Sequence, residues 1–133
     1  RLRFFETGGT NRGFYLDITD GAASVSSPLA SSLLTINAQT ASYTLVLTDA
    51  NKLVEMNVGT ANNLTVPLNS SVAYPVGTQI NIIQTGAGQT TVVATGGVTI
   101  NSTPGLKLRA QWSSATLIKR ATDTWALVGD LSA

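Results

Sequence analysis

No stretch of this chain carries apolar residues at helical spacing; its pattern is short alternating runs broken by glycine and small polar residues. A period of two sends successive side chains to opposite faces of a pleated ribbon, so the chain is confined to strands. Tyr43, Leu45 and Leu47 alternate with Thr44, Val46 and Thr48, and Val54, Met56 and Val58 alternate with Leu53, Glu55 and Asn57. Leu64-Thr-Val-Pro67 ends in a residue without an N–H to give, so that strand stops there or lies at an edge. Further strands read over Gln79–Gln84, Thr90–Ala94, Val98–Ile100, Leu106–Leu108, Ala115–Arg120 and Trp125–Val128. Gly86-Ala-Gly88, Gly96-Gly97 and Ala121-Thr-Asp-Thr124 supply turns. The expectation is an all-β fold, a small antiparallel β-sandwich or barrel-like domain.

The strands are apolar on both faces. Ile80 and Ile82 share one face while Asn81 and Ile83 share the other; Val92 opposes Val93, Leu117 opposes Ile118, and Leu127 opposes Val128. A half-solvated sheet alternates more cleanly, and one sandwich covers only one face of each sheet. The second cover is expected to be another subunit. Candidate interface residues are Phe4, Phe14, Leu16, Ile83, Val93, Ile118 and Val128. Composition points the same way: 43% of the 133 residues are hydrophobic and only 11% charged, so little charge opposes association.

Several chemistries are excluded by residue type. There is no cysteine and no histidine, which removes disulfides, thiolates, the usual zinc ligands and the commonest near-neutral base; no metal or other cofactor is expected. Net charge is +1 with Lys and Arg scattered, so nothing points to nucleic acid. No apolar run reaches membrane-helix length, so membrane insertion is not expected. The lack of cysteine suits assembly in a reducing cytoplasm. The chain begins at Arg1 rather than methionine and reads as a fragment or processed product.

Two modules are expected. Residues 1–32 hold a hairpin over Leu2–Ile18, turning at Thr7-Gly-Gly-Thr-Asn-Arg-Gly13, and a serine-rich linker over Asp20–Ser32; residues 33–133 form the β domain. A lone hairpin is marginal in water and has to pack on something else.

No residue set makes a convincing catalytic site. Asp49 and Glu55 flank a turn and are the one carboxylate pair worth testing for glycoside cleavage, but Asp49 reads better as a turn cap and Glu55 as solvated. No serine has a base at a useful spacing. Sugar binding uses aromatic faces beside amides, which nominates Tyr74, Gln111 and Trp112 as a ligand-binding patch. A tryptophan in such a run also serves to plug a sandwich end or an interface, the more economical reading of Trp112. Trp125 reads as core, and Lys107, Arg109, Lys119 and Arg120 as solvated strand decoration.

Leu2-Arg-Phe-Phe-Glu, followed by Asn11-Arg-Gly-Phe-Tyr-Leu16, resembles a hairpin module of phage tail and fibre proteins. Tyr43–Val54, Leu64–Pro67, Pro75–Ile80 and Leu117–Leu131, in that order, are similar to a domain at the C-terminal ends of bacteriophage fibre and virion-decoration proteins. The resemblance implies a virion structural protein at the particle surface, a homotrimer contacting other virion proteins and mediating host attachment through a cell-surface glycan. In that setting residues 1–32 would serve as an attachment segment or trimer stem. Its rivals are a capsid- or tail-stabilising cement protein without a host ligand and, least economical, a polysaccharide-cleaving enzyme.

Overall fold

The computed structural model describes residues 2–3, 15–17, 24–26 and 33–133, and its contacts divide the chain into two units, Arg1–Leu33 and Leu34–Ala133. In the first unit, β1 (Leu2–Arg3), β2 (Tyr15–Asp17) and β3 (Ser24–Ser26) form a three-stranded antiparallel sheet in that order. Leu2 lies opposite Leu16, and Leu16 opposite Val25. Ser24–Ser26 falls inside the stretch expected to be a linker and is a strand instead. A single valine between two serines is already a period-two pattern, and the ladder needs only backbone groups.

The second unit is all-β, built from two facing sheets. The chain passes from one sheet to the other through β4 (Ile36–Gln39), β5 (Tyr43–Thr44), β6 (Leu53–Met56), β7 (Asn62–Val66), β8 (Gln79–Gln84) and β9 (Thr90–Ala94). Within each sheet these strands stack in parallel: β4 on β6 on β8, and β5 on β7 on β9. They make a short solenoid in which the crossover between parallel neighbours is a strand of the facing sheet rather than a helix.

The remaining strands are β10 (Thr99–Ser102), β11 (Lys107–Leu108), β12 (Ser114–Ala121), β13 (Thr124–Gly129) and β14 (Leu131–Ser132). In the six-stranded sheet β12 lies antiparallel on β8, β13 antiparallel on β12, and β10 parallel to β13 at the edge. In the five-stranded sheet β11 lies antiparallel on β9, and β14 on β11. The expected antiparallel sandwich is therefore corrected to mixed sheets, a parallel stack closed by antiparallel strands. The expected strand over residues 43–48 is also shorter, because Leu47–Asp49 turns as a 3-10 segment that carries the chain across. β7 stops at Val66, before Pro67, and lies inside its sheet.

The core follows from the alternation. Val54, Ile82 and Ala115 share a register position, as do Leu64 and Val92, and all are buried. Ile80, Leu117 and Leu127 extend the same inner face. Fully burying one such aliphatic side chain contributes about 1.5–3 kcal/mol. Gln84, Thr90 and Asn62 are polar inward positions that satisfy one another. Gln84 accepts the Thr90 N–H at 3.0 Å, and Thr90 Oγ1 donates to Asn62 Oδ1 at 2.8 Å.

Successive corners of the solenoid stack too closely for a side chain. A Cβ at Gly88 would lie 1.9 Å from the Thr60 carbonyl oxygen, and one at Gly86 would lie 2.2 Å from that of Val58. Glycine is needed there for close approach of two backbones.

Candidate functional site

Trp112 occupies the turn that leads into β12. Its backbone is left-handed at φ 70°, which costs a bulky residue about 1–2 kcal/mol, and its side chain is 67% exposed. The turn is held from three sides. The Trp112 N–H donates to the Gln84 carbonyl, and Ser113 Oγ accepts the Ala110 N–H at 3.0 Å while donating to Asp130 Oδ2 at 2.6 Å. Arg109 grips the same carboxylate with two bonds, Nε to Oδ1 at 2.7 Å and Nη2 to Oδ2 at 2.8 Å. The guanidinium first, and then the Ser113 hydroxyl, hold the Asp130 carboxyl below its usual range. Its hydrogen bonds to that carboxylate, in turn, raise the Arg109 pKa.

Two polar side chains meet at Thr85, the residue that follows β8. Gln111 Nε2 donates to the Thr85 carbonyl at 2.8 Å, leaving its Oε1 and second N–H unused. Thr85 Oγ1 donates to Glu55 Oε1 at 3.0 Å, fixing that carboxylate on the outer face of the six-stranded sheet. Glu55 was expected only to face solvent; its tie to Thr85 is long-range in sequence and has no local signal.

Tyr74 does not join this patch. It is buried, its ring meets Trp125 edge-on at 5.5 Å and 87°, and its hydroxyl donates to the Val46 carbonyl. Its carbonyl accepts a bond of 2.6 Å from Lys119 Nζ. Lys119 lies near the far end of β12 from Trp112, so Tyr74 and Trp112 are separated by roughly 17 Å or more of strand. The expected set of Tyr74, Gln111 and Trp112 does not come together, because Tyr74 is buried while Gln111 and Trp112 are exposed. Burial pushes the Tyr74 phenol well above the ordinary tyrosine range.

Lys119 also departs from expectation, being buried rather than solvated. Period two places it on the inner face opposite Trp125, where its ammonium lies 5.9 Å from the ring centroid and is bonded by Asn69 Oδ1 as well as Tyr74. The Asn69 N–H donates in turn to Asp123 Oδ1 at 2.6 Å, so one loop residue pins both β12 and the following turn.

Asp49 and Glu55 do not converge as a carboxylate pair. Asp49 is buried and accepts from Asn37 Nδ2 at 2.7 Å, Tyr43 Oη at 3.0 Å and the Val46 N–H at 2.8 Å. Asn37 shares its register position with inward Val54, whereas Glu55 points outward. Burial is the main reason the Tyr43 phenol is raised.

The interface candidates fall on separate surfaces. Ile83 and Ile118, half-buried, and exposed Val128 lie on the outer face of the six-stranded sheet. Val93 lies on the outer face of the five-stranded sheet beside Thr65. Phe4 and Phe14 lie outside the described residues; Leu16 is described as a strand position in the N-terminal unit. At the β10–β13 edge an open groove of about 550 Å³ runs between Ile100–Thr103, Leu106 and Ala126–Val128. Among the described residues no group of acidic, His or Cys side chains could hold a metal ion, and no helix is long and apolar enough to cross a membrane.

The chain matches no protein-family model, no curated protein and no solved structure.

Proposed function

We propose that this chain is a structural component of a bacteriophage particle, a fibre or decoration protein that assembles as a homotrimer and presents its β domain for adhesion to the host surface. The observation that carries the reading is the outer face of the six-stranded sheet. Ile36, Leu53, Ile83, Ile118 and Val128 all point out from it, and Ile36 and Val128 remain 58% and 56% exposed. A domain with few charges does not leave that much aliphatic surface in water without a partner. The resemblance of its segments to phage fibre termini favours further copies of the chain as that partner. Other virion proteins hold the remainder of the assembly.

Adhesion by such an assembly works through avidity. Three weak sites fixed on one rigid support bind a repetitive surface far more tightly than each does alone. Sedimentation of the intact chain should give a trimer, and Ile118→Lys or Val128→Lys should shift it towards monomer. A wild-type monomer at micromolar concentration would sink the assembly reading. Gold-labelled antibody on intact particles encoding the chain should decorate their surface; undecorated particles overturn the virion role. Particles that lose the protein, infect normally and become fragile would make it a cement protein instead.

A further inference from the structure

Among the described residues Lys119 is the one basic side chain buried in the fold, and no carboxylate pairs with it. Its ammonium meets two neutral oxygens, Asn69 Oδ1 and the Tyr74 carbonyl, and lies over the Trp125 ring. A buried charge is normally matched by an opposite one, and a methionine would fill the same inward position at lower cost. What lysine has that methionine lacks is a nucleophilic nitrogen, and here that nitrogen touches a carboxamide.

Both ends of the contact are clamped. The Lys119 N–H donates to the Thr78 carbonyl at 2.9 Å, and the Lys119 carbonyl accepts the Gly77 N–H at 2.8 Å. Asn69 lies in a turn closed by the Ser71 and Val72 N–H groups on the Leu68 carbonyl, at 3.0 and 2.9 Å. Its own N–H is held by Asp123 Oδ1 at 2.6 Å. Asn69 Nδ2 makes no bond within the fold, and the residue is half-buried, so that nitrogen has a way out to water. Fixing a nucleophile against an acyl group removes much of the entropic barrier, and keeping water away suppresses hydrolysis.

We infer that Lys119 and Asn69 form a self-modification site, which closes an isopeptide bond between the loop after β7 and strand β12. The Nζ–Cγ bond forms and the Cγ–Nδ2 bond breaks. Two of the Lys119 ammonium protons pass to Nδ2, which leaves as ammonium, so atoms and charge balance without a co-reactant. The product keeps one N–H for the Tyr74 carbonyl and no longer buries a charge. Asp123 is a positioning residue, because it holds Asn69 by the backbone. The link joins residues 50 apart in sequence and so constrains the unfolded chain strongly. It does not depend on the assembly reading.

Intact mass spectrometry of the full chain provides the test. Chain kept in urea since synthesis should show the full sequence mass, and refolding should remove about 17 Da, one ammonia. Trypsin should then release residues 53–107 joined to residues 110–120. Lys119→Met and Asn69→Ala should each keep the full mass after refolding. Asp123→Ala should slow the loss several-fold, while Asp123→Asn, which keeps an acceptor for the Asn69 N–H, should react at close to the wild-type rate. Freshly refolded, still unlinked chain is the reference against which the stability of Lys119 variants is measured. Three results overturn the bond: the folded chain keeps its full mass, the loss persists in Lys119→Met, or it is confined to an unlinked 53–107 peptide, as cyclisation of Asn69 alone would give.

Discussion

The two tryptophans of this chain sit in regions built on opposite terms. Trp125 is sealed between the sheets, edge-on to Tyr74 and under the Lys119 ammonium. Trp112 stands in solvent on a strained turn tied down by Ser113, Asp130 and Arg109. The same side chain stabilises the fold in one place and costs it stability in the other. What differs is the anchoring: Trp125 is held by its ring, Trp112 by its backbone.

The largest effect should come from Trp125→Ala. It empties the space between Tyr74, Lys119 and Leu127 and should cost about 3–5 kcal/mol in urea unfolding. Loss of under 1 kcal/mol would mean that the ring is not a core element and would break the contrast. Lys119→Ala should cost about 2–4 kcal/mol by leaving Asn69 and the Tyr74 carbonyl without their donor, and Lys119→Met clearly less, because it keeps the stem and removes the buried charge. Equal losses would assign the effect to the lost ammonium bonds, with nothing from packing of the stem.

Trp112→Gly should act in the other direction, stabilising the chain by about 0.5–1 kcal/mol through relief of the left-handed backbone. Destabilisation by more than that amount would show the indole to be part of the packing.

The regions should also divide the pH scale. The Tyr74 phenol is raised above its ordinary value of 10.0, so the stability it contributes is present below that pH and is lost as alkali drives its ionisation. Absorbance at the phenolate band should show part of the tyrosine titrating only together with unfolding; full reversible titration near the ordinary value sinks this assignment. Asp130 is lowered from 3.8, so its contribution is present above that value and fades as pH falls through the depressed one. The pair is exposed and screened by solvent, so this is the smallest effect. Asp130→Asn should flatten the acid limb of the melting curve and increase mobility at Trp112, read by fluorescence anisotropy.

The contrast was half legible in the sequence. Trp125 in an apolar alternating strand reads directly as core, and Gln111-Trp112-Ser113-Ser114 reads as a polar stretch that can expose its ring. Tyr74 misled because Tyr-Pro in a loop is a local signal of exposure, whereas its burial comes from Trp125, far along the chain. Lys119 misled in the same way: its alternation with Leu117 was plain, but charge argued for solvent until Asn69 and the Tyr74 carbonyl supplied partners. Glu55 gained its place only through Thr85, just past the end of the neighbouring β8. One long-range signal was there to find. A single spacing separates Val54 from Ile82, Asn62 from Thr90 and Leu64 from Val92, and those are the partners stacked in the solenoid.

The sequence by itself determined that the β domain is built from short strands and which of their apolar residues face inward. Alternation is local: Ile80, Ile82, Leu117 and Leu127 point one way, and Ile83, Ile118 and Val128 the other, whatever lies beside them. Only the tertiary structure decided that the first strands stack in parallel, that Lys119 and Tyr74 are buried together, and that Gln111 and Glu55 both bond to Thr85. Pairing direction depends on how the chain crosses between sheets, and the fate of a polar side chain depends on whether distant residues offer it a hydrogen bond. Neither is written in a period of two.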